Sequence, residues 1–398
     1  MQIPQTFRLF NSKELLTLFW LFLLIFPKGG IKLLNVPITW GYVFLGIATL
    51  LVVRKGIFIY HTPRLYALFC TIPFQLVVLG TLIFLKVEEY GPSISLLLNF
   101  VFFPWIFSLL FSNFFETLDI EHLFSLLKKG IFVISLYGVF LFFFKFFTGN
   151  FLEIPFVTVN FHDLGNLEGK HIDRGTFFKL ISTYNNGNIY GICLLMLLPL
   201  YLFLEQTRWK KGIVFLSLLL TFSRTVWVGS LFSFFITALF ASQKRSLLRS
   251  LLIGGIAISI IFIATYLSGF TLSFLFDTAL GGRIEQFEIV KVATFFPNAP
   301  FREILEIVYL SILASFGIVG LATYLLSMIG PIVIAYNTFP LCIVRRRILC
   351  GLVNFLFVSF SDGALLLIPV LAFYWILSSL ALRKTYATIL VNGRAPPS

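Results

Sequence analysis

Residues 210–245 read KKGIVFLSLLLTFSRTVWVGSLFSFFITALFASQKR. Basic pairs close the stretch at both ends, Lys210-Lys211 and Lys244-Arg245, and its interior is apolar or small except around Ser223-Arg224-Thr225. Loops rich in Lys and Arg stay on the cytoplasmic side of a membrane, so both ends are expected inside and the middle is expected to be a turning point. The pattern predicts a hairpin of two membrane helices with an arginine at its far tip. Its first arm, 212–222, reaches only about 17 Å at 1.5 Å per residue, against a hydrocarbon core of about 30 Å. The second arm, 226–241, reaches roughly 24 Å by the same rise. Arg224 is therefore expected below the outer boundary, in a recess, where a charge is costly unless it meets water or an anionic partner. The expectation is an anion site opening away from the cytoplasm.

The whole chain agrees with a membrane setting. Of its 398 residues 59% are hydrophobic, only 12% are charged and 51 are Phe, with a mean hydropathy of +0.97. Such a composition excludes a water-soluble globule with an ordinary surface. The net charge of +13 is largely topological, so nucleic acid is not expected as a partner. Cys70, Cys193, Cys342 and Cys350 lie in or beside apolar runs without a CxxC spacing, and neither a disulfide framework nor a thiol metal site is indicated. Arg8 and Lys13 ahead of 15–26 imitate a secretory leader, but Pro27-Lys28-Gly29-Gly30 follows instead of a small-x-small cleavage site. That segment is expected to be a retained first span.

Apolar runs at 15–26, 38–53, 65–85, 94–111, 131–147, 188–204, 212–222, 226–241, 247–267, 304–326, 348–360 and 364–382 predict an all-α, polytopic helical membrane protein with about twelve transmembrane helices. A Pro-interrupted apolar stretch, 330–344, continues the tenth run, and 112–130 is expected to be an inner segment. Both termini are expected to be cytoplasmic, and most Lys and Arg fall on the inner side as the charge rule requires. The expected organisation is N-terminal membrane helices over 1–147, an extracytoplasmic loop over 148–187 and membrane helices with the Ser-Arg-Thr hairpin over 188–267. A second extracytoplasmic loop follows over 268–303, then C-terminal helices and a cytoplasmic tail over 304–398. Loops of such length in a compact protein are commonly functional.

The outer cations carry the chemical information. Lys28, Lys32, Lys86 and Lys145 flank helix ends and read as interfacial anchors. Lys170, Arg174, Lys179, Arg224, Arg283, Lys291 and Arg302 gather in the two long loops and the recess. Guanidinium groups suit bidentate recognition of phosphate. The outer loops hold no acidic pair spaced to bind a divalent metal, so the arginines would stabilise a phosphate themselves. No metal or other cofactor is expected. His162-Asp163 with His171-Ile172-Asp173 reads as polar loop surface, and Asp362 reads as the turn residue of Ser361-Asp362-Gly363.

Several of these pieces resemble one family. Leu218-Leu219-Leu220-Thr221-Phe222-Ser223-Arg224-Thr225-Val226-Trp227 is similar to a signature of the O-antigen ligase and O-antigen polymerase superfamily. Arg174-Gly175-Thr176-Phe177 with Tyr184-Asn185-Asn186-Gly187-Asn188 resembles its upstream segment, without the usual proline. Gly282-Arg283-Ile284-Glu285-Gln286-Phe287 resembles its arginine helix, with Phe287 in place of tryptophan. Glu306-Ile307-Val308-Tyr309-Leu310, running on to Gly317 and Gly320, resembles its last signature helix. Ligases of the family carry histidine and asparagine where this chain has Glu306 and Ile307, and their Gly-x-Gly is replaced by Asn298-Ala299-Pro300. The resemblance therefore favours the polymerase branch.

Membership would imply a metal-independent, inverting glycosyltransferase that polymerises undecaprenyl-pyrophosphate-linked oligosaccharide repeat units into O-antigen or related surface polysaccharide. The resemblance implies Arg224 and Arg283 as catalytic clamps on the diphosphate and Glu306 as the base. Arg174, Arg302, Ser223 and Tyr309 would bind substrate. It places the chain in a bacterial inner membrane with its site facing the periplasm or exterior. The implied partners are the lipid-linked oligosaccharide and the bilayer, with a chain-length regulator left open. Other readings remain beside it: a ligase attaching glycan to a lipid or protein acceptor, a transporter or flippase of an anionic lipid-linked substrate, and a non-catalytic assembly subunit.

Overall fold

The computed structural model describes residues 12–33, 36–55, 61–85, 87, 89–167, 173–174, 177–240, 287, 290, 293–302 and 304–386. The protein is predominantly helical, with a few short strands. Among the described residues, five helices are long and apolar enough to cross a membrane: Thr62–Phe84, Tyr90–Leu110, Ile120–Thr148, Gly187–Leu204 and Val308–Thr338. Shorter apolar helices stand beside them at Glu14–Ile25, Trp40–Arg54, Arg224–Leu239 and Val370–Ala381. In chain order we label them α1 (Ser12–Ile25), α2 (Trp40–Lys55), α3 (Thr62–Phe84), α4 (Tyr90–Leu110) and α5 (Ile120–Thr148). Next come α6 (Gly187–Leu204), α7 (Arg208–Leu219), α8 (Arg224–Leu239), α9 (Val308–Thr338), α10 (Ile343–Val358) and α11 (Val370–Ala381).

Of the hairpin expected over 210–245, the described part forms α7 and α8, turning at 220–223, and 241–245 lie outside the described residues. Two carbonyls near the turn are tied down. The Trp227 indole Nε1 donates to the Leu219 carbonyl at 3.0 Å, and the Leu180 amide donates to the Leu220 carbonyl at 2.9 Å. Helix ends leave carbonyls without intrahelical partners, so these bonds fix both the tip and the strand-like segment 177–180 beside it.

The centre of the bundle is α6, buried along nearly its whole length. A helix apolar on all sides belongs in a core, and here α8, α10, α11 and α5 surround it. Its packing against α10 is close: a Cβ at Gly351 would stand 1.9 Å from the Met196 carbonyl oxygen. Small residues allow helix backbones this approach. A second pairing runs along α3 and α9, where the Phe74 ring meets Phe316 and Tyr324 edge-on at 5.6 and 5.5 Å.

Several boundaries differ from the sequence expectation. The run 131–147 is the latter part of a helix that begins at Ile120, because Asp119 caps it by accepting from the His122 amide at 3.1 Å. The apolar face continues through the expected inner segment at Ile120, Leu123, Phe124 and Leu127, a helical spacing. The run 304–326 and its Pro-interrupted continuation are one element, α9, which begins at Val308 and carries Pro331 inside. Its interior break is at Gly317, at φ 71° and ψ −172°. The amides of Ile318 and Val319 donate instead to the carbonyls of Thr294 and Phe295 at 3.0 and 3.2 Å. The last run, 364–382, becomes helical only from Val370; residues 364–369 form an irregular loop that ends on Pro369.

An antiparallel hairpin, β1 (Gly30–Leu33) with β2 (Val36–Thr39), occupies much of the expected loop 27–37 and takes in the first two residues of the expected run 38–53. It packs on the first long loop through a Gly30–Asn160 bridge and a Lys32–Asp163 ion pair at 3.4 Å. Asp163, read as loop surface, therefore has a cationic partner. Lys145, read as an interfacial anchor, is buried instead, with Nζ 3.9 Å from the Phe151 ring centroid, where the ring face attracts the ammonium. The crossing expected at 247–267 lies outside the described residues, as does most of the loop 268–303.

Candidate functional site

Four consecutive residues, 360–363, join three separate parts of the chain. The Phe360 ring packs against Tyr309 with centroids 4.5 Å apart. The hydroxyls of Ser361 and Thr225 are 2.9 Å apart. Asp362 Oδ2 accepts from Asn188 Nδ2 at 2.5 Å. The Gly363 amide donates to the Glu306 carbonyl at 3.4 Å. The turn between α10 and α11 thus gathers the start of α8, the start of α6 and the segment leading into α9.

Arg224 is the first residue of α8 and is half-buried; Ser223 before it is buried. A cation at the positive end of a helix dipole is unfavourable by itself. The same pair of features, peptide N–H groups and a guanidinium, favours an anion placed between them. Glu306 is exposed and precedes the N-cap residue Ile307, so it lies just ahead of the helix rather than in its first turn. Tyr309 is half-buried and donates its hydroxyl to the Leu356 carbonyl at 2.7 Å.

Beside the turn lies a cavity of about 460 Å³, within the range of small-molecule sites. Its polar lining includes Lys28, Asn186, Asn188, Glu306 and Asp362 together with Ser95 and Tyr42, and apolar walls come from residues such as Ile94, Leu98 and Leu367. Asn186 caps α6 by accepting from the amides of Asn188 and Ile189 at 2.8 and 3.2 Å. Lys179, itself buried, places Nζ 3.5 Å from Asn188 Oδ1. A chain of polar contacts therefore runs from Lys179 through the Asn188 amide to the Asp362 carboxylate.

Of the sequence-predicted residues, Ser223, Arg224, Glu306 and Tyr309 are brought around the 360–363 turn. Arg302 is exposed in the segment before α9. Arg174 belongs to a two-residue strand, Asp173–Arg174, paired antiparallel with Phe177–Phe178. Arg283 lies outside the described residues. By sequence Asp362 reads as a turn residue and Lys28 as an interfacial anchor, while Asn186 and Asn188 enter through the resembling segment without a site role. The turn role is real, since Asp362 Oδ1 accepts from the Ala364 amide at 3.2 Å, but it is one part of what the carboxylate does. A signal was present. Asp362 is the one charged residue between Arg347 and Arg383, and an ionisable group inside an apolar span marks a functional site by default.

No protein-family model, curated protein or solved structure matches this chain.

Proposed function

We propose that this protein is a membrane glycosyltransferase that polymerises undecaprenyl-pyrophosphate-linked oligosaccharide repeat units. The bilayer it occupies would be a bacterial plasma membrane, with the 360–363 turn toward the periplasm or exterior. The observation that carries the proposal is the convergence on that turn of the Ser223-Arg224-Thr225 tip, Asn188 and the Glu306 segment. These are the pieces that resemble successive signatures of one enzyme superfamily, and two of them, at Asn188 and Glu306, line a ligand-sized cavity.

In this reaction an acceptor hydroxyl attacks the anomeric carbon of the donor, and the diphosphate departs from the opposite face with inversion. Diphosphate is a good leaving group, so stabilising its charge matters more than protonating it. Arg224 supplies a guanidinium at a helix N-terminus for that purpose. Arg283, Arg302 and Arg174 are the further candidate cations for the diphosphate. A carboxylate within reach of the hydroxyl takes its proton, and Glu306 is the one that the resemblance picks out.

The test is extension of lipid-linked repeat units by the purified protein in liposomes. Wild type is expected to convert single units into long lipid-linked chains, while a well-folded Arg224→Ala variant leaves them unextended. Equal chain lengths from both would end the proposal. Movement of the lipid-linked substrate between leaflets without extension would turn it toward a flippase.

A further inference from the structure

We infer that the cavity beside the 360–363 turn is the subsite for the hydroxyl-bearing sugar of the acceptor, and that Asp362 is the general base that takes the hydroxyl proton. This rests on the transferase reading and refines it by separating the two halves of the substrate.

The polar lining of the cavity comprises two carboxylates, two amides, a lysine and the hydroxyl-bearing Ser95 and Tyr42. A diphosphate carries several negative charges, and Glu306 and Asp362 would repel it there. Sugar hydroxyls donate well to carboxylates and exchange hydrogen bonds with amides. The lining thus matches a hydroxyl-rich ligand without concentrated negative charge. Arg224 is not part of it. The guanidinium residue is joined to the cavity through its neighbour: Thr225 meets Ser361, and the next residue, Asp362, lines the cavity. Donor diphosphate on the Arg224 side and acceptor hydroxyl on the Asp362 side would then face each other across the turn.

Asp362 is better prepared than Glu306 for proton abstraction. Glu306 is exposed at the cavity rim, whereas Asp362 is 5% exposed. Both of its oxygens are held, Oδ2 by Asn188 at 2.5 Å and Oδ1 by the Ala364 amide at 3.2 Å. A fixed carboxylate loses less entropy in reaching the reactive geometry. Asn188 acts as a positioning residue, its carbonyl oxygen facing Lys179 Nζ so that its amide N–H points to Asp362. In the step itself, the hydroxyl proton passes to an Asp362 oxygen as the hydroxyl oxygen bonds to the anomeric carbon. The bond from that carbon to the diphosphate oxygen breaks, and its electron pair leaves on the diphosphate. The proton goes to water when the product departs.

The substrate for the test is the lipid-linked oligosaccharide that accumulates in cells deleted for this protein. The acceptor probe is the same oligosaccharide freed from lipid by mild acid. In liposomes, Asp362→Asn is expected to lower turnover by roughly 10²–10⁴-fold with little change in the KM for lipid-linked donor, and Asp362→Glu is expected to recover part of the loss. In a Leu367→Cys variant, the freed oligosaccharide is expected to protect the new thiol from maleimide. If wild type makes no long chains, the transferase reading falls and this inference with it. If wild type extends chains and Asp362→Asn matches it, or Glu306→Gln loses more than Asp362→Asn, the base assignment alone is overturned. An unprotected thiol at position 367 overturns the acceptor subsite, and that arm keeps the native Asp362, so a folding failure of the aspartate variants does not remove the test.

Discussion

The hydroxyls of Thr225 and Ser361 stand 2.9 Å apart across 136 residues of sequence, joining the tip of the α7–α8 hairpin to the turn between α10 and α11. Through this contact the arginine-bearing tip is held in register with the carboxylate of the next residue along the turn.

Removing either hydroxyl, as Thr225→Val or Ser361→Ala, is expected to destabilise the protein by about 1 kcal/mol, the usual worth of one hydrogen bond. The double variant should lose less than the sum, since groups in direct contact are coupled. Denaturation of the four proteins in detergent gives the cycle, and strictly additive losses would mean that the two hydroxyls do not act together.

Arg224→Lys keeps the charge at the start of α8 but removes the planar fork that engages two phosphate oxygens at once. Turnover with the lipid-linked donor is expected to fall by at least an order of magnitude, roughly the effect of about 1.4 kcal/mol of lost transition-state stabilisation. Melting temperature should stay near wild type, because the half-buried side chain is not part of the packed core. Full activity in the lysine variant would show that a point charge suffices.

Gly317→Ala is expected to unfold at lower temperature. At φ 71° a side chain is strained, and its Cβ would stand 2.8 Å from both the Thr294 and Phe295 carbonyl oxygens. The new methyl would push away the segment that satisfies the amides of Ile318 and Val319. A substitution at a positive φ destabilises by roughly 1 kcal/mol or more. Faster amide exchange at Ile318 and Val319 than in wild type is the accompanying signature.

At the opposite end of the bundle from the cavity, Arg64 is 1% exposed and donates from Nη2 to Glu116 Oε1 at 3.0 Å. The Lys384 amide donates to the other oxygen of the same carboxylate at 3.1 Å. Glu116→Gln would leave a buried guanidinium without its counter-charge, and such a loss costs about 3–5 kcal/mol. Arg64→Met is expected to be milder, since Glu116 lies nearer solvent. Thermal denaturation of the two variants ranks them, and a reversed order would show that the carboxylate carries the penalty.

His61, next to this ion pair, titrates below its ordinary value of 6.5 because of partial burial first, then the charges of Lys384 and Arg64, with Glu116 opposing. The folded state thus binds a proton less readily than the unfolded chain, and stability rises with pH across that window. His61 contributes no penalty above about pH 6.5 and a growing one as pH falls below it. Acidification should therefore destabilise wild type more than His61→Gln, and melting curves that fall in parallel from pH 7.5 to pH 5 would remove His61 as the cause.

Much of the fold was legible in the chain. The α7–α8 hairpin follows from basic pairs at 210–211 and 244–245 around apolar arms, and α6 follows from an uninterrupted apolar run. What local pattern left unread depends on caps and remote partners. Helix α5 begins eleven residues before the apolar run suggested because Asp119 caps it. Helix α9 survives Pro331 and breaks at Gly317 instead, where the 294–295 carbonyls take over the freed amides. For the candidate site, the arginine at the tip and Glu306 stood out by type and position. Asn188 and Asp362 did not, since an asparagine at a helix start and an aspartate in a Ser-Asp-Gly turn each have a sufficient local explanation.

By itself the sequence determined that the protein is helical and built for a membrane, and it located an arginine at a hairpin tip. Hydropathy and charge act residue by residue on transfer from water to lipid, so their record is written along the chain. Only the tertiary structure decided that the tip, the start of α6 and the segment before α9 meet at one four-residue turn. Asn188 and Asp362 are 174 positions apart, and their contact comes from how closely α10 packs on α6. That closeness depends on shape complementarity between distant surfaces, which no local periodicity encodes.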